Sequence, residues 1–303
     1  MSTAVSGPDL QIVAPRQPVA GHLRDLWRYR ELFGQLVRKE LKVRYKSSAL
    51  GFVWSMLNPL FLLAVYTLVF SILGAAFENF PIWLLTGLLM WNFFASSLTN
   101  GTNSITGNAY LVAKVRFPRE ILPVASVGAS LVHFFLQAIV LVAVLVVIRH
   151  PVDWAYLWLT VPSMLALILL AAALGIMLSA LNAYARDTGH LLELLLLAWF
   201  FLTPILYPYQ LVANKLEGRG WPTWLPLLNP VTDLVIAVQR GVYGTAAVTR
   251  EGTVGSTTTT LLPDESVWWY FRNVAIVAAV ALVLFLLAIK LFDKAEGNFA
   301  EVL

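Results

Sequence analysis

The stretch Ile121-Leu-Pro-Val-Ala-Ser-Val-Gly-Ala-Ser-Leu-Val-His-Phe-Phe-Leu-Gln-Ala-Ile-Val-Leu-Val-Ala-Val-Leu-Val-Val-Ile148 decides the fold, because it holds no Asp, Glu, Lys or Arg. Crossing the hydrocarbon core of a bilayer takes about 20 apolar residues in a helix. Comparable runs occupy residues 51–74, 81–98, 157–181, 191–207 and 267–292. Composition agrees: 59% of the chain is hydrophobic and 13% charged, against about 45–50% and 25% in soluble domains. Eleven Trp residues suit a chain anchored at two membrane interfaces. The expectation is an all-α membrane protein with six transmembrane helices over 51–292.

Orientation follows from Lys and Arg in the short flanks. Arg38, Lys39, Lys42, Arg44 and Lys46 precede the first span, and Lys114, Arg116 and Arg119 follow the second. Arg186 follows the fourth, and Lys290 and Lys294 close the sixth, whereas the short loops of the other side offer only Arg149. Both termini are therefore expected in the cytoplasm, in a multi-pass membrane protein. Residues 1–21 are polar and lack the apolar run of a signal peptide, so they read as a disordered tail. Residues 22–46 read as a basic amphipathic helix, with Leu26, Tyr29, Phe33, Leu36, Val37 and Leu41 on one side. Such a helix lies among lipid headgroups, its cations drawn to anionic lipid, or packs on a partner protein.

Two connections are longer than a passive loop needs. Residues 99–120 lead through small polar residues into a short amphipathic run ended by Pro118, which presents Lys114, Arg116 and Arg119 as a docking surface. Residues 209–266 form an outer loop. Trp221 and Trp224 suit the headgroup layer, and Asn229-Pro230 starts a helix as N-cap and first residue. That helix is too short to span and is expected to dip into the membrane from outside. The Thr-rich 245–262 reads as open loop, and 293–303 as a cytoplasmic tail.

Polar residues within spans are costly and face protein or a water-filled path. Ser126, Ser130, His133 and Gln137 share one face of the third span, Asn92 and Ser96 lie in the second, and Asn58 precedes Pro59 in the first. They read either as hydrogen-bonding links between helices or, with Trp91 and Phe94, as the wall of a substrate path. The absence of cysteine excludes disulfides and thiolate chemistry, and four scattered histidines give no metal cluster. No phosphate-binding loop occurs, since Gly-Lys is absent from the chain, and no catalytic residue is expected. No charged residue lies mid-span; Glu193, near Arg186, Asp187 and His190, reads as part of an ion-paired cytoplasmic corner.

Several blocks resemble, in order, the ABC-2 type permeases that export polysaccharides. Residues 36–59 are similar to that family's basic helix running into a Leu-Gly-Phe and Trp motif. Residues 108–123 carry Lys114, Phe117, Pro118, Arg119, Glu120 and Pro123 in its pattern. Arg186-Asp187-Thr188-Gly189-His190, Leu228-Asn229-Pro230 and the tail Phe299-Ala300-Glu301-Val302 follow. The resemblance implies the membrane subunit of an O-antigen, teichoic acid or galactan type exporter. It would act as a homodimer with two ATP-binding cassette subunits that hold ATP and Mg, this chain binding no cofactor and no nucleic acid. It assigns Tyr110, Lys114, Val115, Arg116, Phe117, Arg119, Glu120, Arg186 and Asp187 to coupling with the ATPase. Arg38, Lys39, Lys42 and Arg44 would meet the pyrophosphate of a lipid-linked polysaccharide, and Trp221, Trp224, Asn229 and Pro230 would form a gate. An ABC-2 exporter of a drug or simple lipid, and a membrane enzyme of lipid-linked sugar metabolism, remain the alternatives.

Overall fold

Residues 28–46, 53–72, 77–115, 117–244, 247–252 and 255–296 are described by a computed structural model. The readings of the 1–21 tail, Arg116 and the last residues fall outside them, as do the side chains of Arg44 and Asn58. Among the described residues the helices are α1 (Arg30–Tyr45), α2 (Val53–Ile72), α3 (Phe80–Thr102), α4 (Ala109–Lys114), α5 (Ile121–Ile148) and α6 (Trp154–Leu157). They continue as α7 (Thr160–Tyr184), α8 (Thr188–Leu202), α9 (Tyr209–Glu217), α10 (Pro230–Tyr243) and α11 (Val267–Glu296).

The decisive stretch is one continuous helix, α5, whose bounds match the sequence reading. Among the described residues, four helical segments are long and apolar enough to cross a membrane: α3, α5, Trp154–Tyr184 (α6 with α7) and Val267–Ala295 of α11. The other two expected spans are shorter. The apolar part of α2 is Pro59–Ile72, and α8 has 15 residues, about 22 Å of helix against a hydrocarbon core of about 30 Å. At Thr203 the chain leaves α8 in an extended conformation instead of continuing to Tyr207.

The centre is α3. Every residue from Ile82 to Trp91 is buried, so this helix is apolar on all sides and packed all round. Its lower end approaches α7 closely, a Cβ on Gly101 falling 3.3 Å from Gly175 Cα. Small residues at such a crossing let two backbones come together.

One end of the bundle, here the base, is closed by an apolar cluster. Leu36 of α1, Ile105 and Val112 of the 99–120 connection, Ile121 of α5, Ala183 of α7 and Phe292 of α11 meet there. The apolar face of α1 therefore packs on its own chain. Phe33 and Val37 lie against Gly128 of α5, where an added Cβ would stand 2.8 Å from the Phe33 ring.

The opposite end, the apex, carries the α2–α3 turn, the α5–α6 turn, the C-terminus of α10 and the start of α11. The 245–262 stretch departs from the open loop expected of it. Strands β1 (Ala247–Gly252) and β2 (Gly255–Thr260) pair antiparallel, from Ala247 opposite Thr260 to Gly252 opposite Gly255. The Thr run that gave no helical period has the β-branched side chains that suit a strand. The membrane body is all-helical, with this hairpin appended at the apex.

Candidate functional site

At the base, the 99–120 connection folds as expected into a short helix between two spans. Tyr110 and Val115 are exposed, and the Lys114 ammonium lies 4.1 Å above the Tyr110 ring. Phe117 is half-buried in the basal cluster. Glu120, which the resemblance assigns to coupling, is only 2% exposed, just ahead of α5, and Arg119 of the expected docking surface is half-buried beside it. The chain enters α5 through a tight turn, in which the Ile121 and Leu122 amides donate to the carbonyls of Pro118 and Arg119, and this draws both residues inward. Tyr110, Lys114 and Val115 are thus the exposed members of the set, on α4 and at its end. Arg186 and Asp187 are exposed at the neighbouring α7–α8 turn. The expected ion-paired corner reduces, among the described residues, to an exposed His190–Glu193 contact at 4.0 Å.

Arg38, Lys39 and Lys42 are exposed on α1. Lys39 Nζ donates to Asn108 Oδ1, and Asn108 Nδ2 donates to the Ser104 carbonyl, so α1 is tied to the connection. Ser126 Oγ donates to Glu40 Oε1, which makes it a link between α5 and α1. A cavity of about 340 Å³ opens here, and it brings Lys39 together with Asn103, Asn108 and His133. Ser130, His133 and Gln137 are buried. Ser96 Oγ donates to the carbonyl of Phe93 in its own helix, while Asn92 Nδ2 and Ser130 Oγ have no hydrogen-bond partner among the described residues. Phe94 is a correction: fully buried, its ring 5.1 Å from that of Trp199, it belongs to the core and not to a wall. Trp91 is buried as well, with its ring 5.6 Å from that of Phe200.

Toward the apex, Asn229 caps α10 as its sequence position indicated. Its Oδ1 accepts from the Val231 amide at 3.1 Å and from Trp199 Nε1 at 2.8 Å, and its Nδ2 donates to Thr203 Oγ1 at 2.9 Å. One side chain thus joins the start of α10 to the end of α8, and Pro230 follows at the first helical position. The other end of α10 is held more heavily. Arg240 Nη1 donates to Asp153 Oδ2 at 3.0 Å, and the guanidinium lies 4.1 Å over the Tyr156 ring. His150 Nε2 meets the Tyr243 carbonyl at 2.8 Å, and the Tyr243 hydroxyl donates to the Glu78 carbonyl at 2.6 Å. Neither Arg240 nor Asp153 was singled out for α10, because the two stand far apart in the sequence. Trp221 and Trp224 are exposed in the turn before α10, as interfacial rings would be. Beside α8 runs an apolar groove of about 820 Å³ that Trp199, Tyr207, Asn229 and Pro230 help to line.

Comparison with known proteins places this architecture. The family model described as "ABC-2 type transporter" matches residues 31–243. An O-antigen export system permease protein RfbA of Myxococcus xanthus is 31% identical over 92% of this chain and 98% of its own length. One of the same name from Klebsiella pneumoniae is 27% identical over 90% and 95%. A polysialic acid transport protein KpsM of Escherichia coli is 22% identical over 65% of this chain and 76% of its own. The four long apolar segments, the helical connection at the base and the helix pinned at the apex are thus those of a multi-pass membrane protein, and the chain belongs to the ABC-2 type transporter family.

Proposed function

We propose that the chain is the membrane-spanning subunit of an exporter that carries a lipid-linked polysaccharide across a bacterial plasma membrane, driven by a separate ATP-binding subunit. The observation that carries this reading is similarity along nearly the whole length to permeases named for O-antigen export. On this reading α2, α3, α5, α6 with α7, α8 and α11 make six crossings, the base faces the cytoplasm, and both termini lie there. The positive charges of the short flanks, gathered at the base, support that orientation. Two copies of the chain enclose the conduit. Long apolar faces on α2 (Phe61, Leu68, Ile72) and α8 (Leu191, Leu194, Phe201) stand exposed and are the surfaces such a pair would cover.

Each copy receives one ATP-binding subunit, which holds ATP and Mg, on the exposed side of α4 with Arg186 and Asp187. Arg38, Lys39 and Lys42 meet the pyrophosphate of the incoming carrier, and α10 gates the outer end. A simple lipid or drug as cargo is the second reading, favoured by the apolar lining of the α8 groove. Co-purification from the native membrane separates success from failure. The chain is expected to bring down an ATP-binding subunit, and loss of that subunit is expected to leave polysaccharide inside the cell. A chain that purifies alone while export continues contradicts the proposal.

A further inference from the structure

We infer that Asn182 is a positioning residue that transmits movement of the basal connection into α7 and α8. The inference rests on the reading of that connection as the ATPase docking element. Asn182 lies in the last turn of α7 and is 3% exposed. Its Nδ2 faces three acceptors where α3 unwinds: the Thr102 carbonyl at 3.1 Å, Asn103 Oδ1 at 3.2 Å and Thr106 Oγ1 at 3.4 Å. A Cβ built on Gly189, the second residue of α8, would lie 3.5 Å from Asn103 Oδ1 and 3.7 Å from Asn182 Oδ1. This amide therefore joins the ends of α3 and α7, and the start of α8 passes beside it.

The covalent chain joins the connection to α3 and α5 only. A push on α4 reaches α7 and α8 through side chains, and Asn182 supplies the polar link. Just beyond it, the Gly101–Gly175 approach leaves no side chain between α3 and α7 to absorb a displacement. A buried amide with up to three acceptors holds the joint in one geometry, where an apolar contact would slide.

The chain has no cysteine, so a single introduced thiol, labelled before the ATP-binding subunit is added back, is an unambiguous reporter. A bimane label is placed at Glu193→Cys, exposed near the start of α8, or at Ala113→Cys on α4, in the full complex with its ATP-binding subunit. ATP with vanadate is expected to shift both signals in the parent complex. With Asn182→Ala added, the α4 shift is expected to persist and the α8 shift to fall at least fivefold, with export falling in step. A role in folding alone would lower the yield and both shifts together, which overturns the inference, as does an α8 shift of parental size. Should Asn182→Ala not fold, Thr106→Val removes one acceptor and is read the same way. A parent complex in which neither label responds refutes the ATP-driven reading, and with it the role of Asn182.

Discussion

Single residues at the ends of α10 carry more than their size suggests. Asn229 fills the N-cap and ties Trp199 and Thr203 to it. Asn229→Ala is expected to cost about 1 kcal/mol for the cap and about 1 kcal/mol more for each hydrogen bond lost, read as lowered thermal stability in detergent. Asn229→Asp keeps the acceptor and loses the donor to Thr203, so it should fall between the two. Glycines divide by what faces them. A Cβ at Gly241 would stand 2.8 Å from Leu157 Cα, which is backbone and cannot yield, so Gly241→Ala should displace α10 from α6 and abolish export. Gly34 on α1 faces open space. Gly34→Ala should leave export intact and add up to about 1 kcal/mol through helix propensity, measurable in the same melting assay.

Among elements, α10 is held from two directions, by α8 at its start and by the α5–α6 turn at its end. Arg240 and Asp153 are mostly buried, with 12% and 25% of their side chains exposed. Replacing either with Ala is expected to cost about 1.5–3 kcal/mol, and the double replacement less than the sum, as a double-mutant cycle on thermal stability would record. On α4, Lys114→Glu is expected to weaken binding of the ATP-binding subunit at least tenfold with the chain still folded, as read by pull-down. Glu120→Ala, by contrast, should lower stability, because that carboxylate is buried. The sequence showed the apolar spans because length and absence of charge suffice to define them, and it showed the Asn229-Pro230 cap because capping is local. It did not show the burial of Glu120, which depends on a turn, or the Arg240–Asp153 pair and Asn182, which depend on elements remote in the chain. Phe94 misled because an aromatic residue beside Trp91 suits a core and a conduit equally.

For the molecule as a whole, the two ends are built differently. At the base, α1, the connection, α7 and α11 meet in an apolar cluster. The apex holds a buried helix by a few polar contacts at its tips. On the proposed reading, the base is the end that receives the push and α10, held at two points, the end that opens. The central claim is that this chain exports a lipid-linked polysaccharide under the drive of a separate ATPase, and the direct measurement is where the polymer lies in living cells. Deleting the chain, and restoring it beside an ATP-binding subunit whose ATP hydrolysis has been abolished, should both leave lipid-linked polymer inside the cell and none at the surface. Restoring both active subunits should return it to the surface. Polymer reaching the surface at normal levels without the chain, or with the inactive ATPase, would contradict the account.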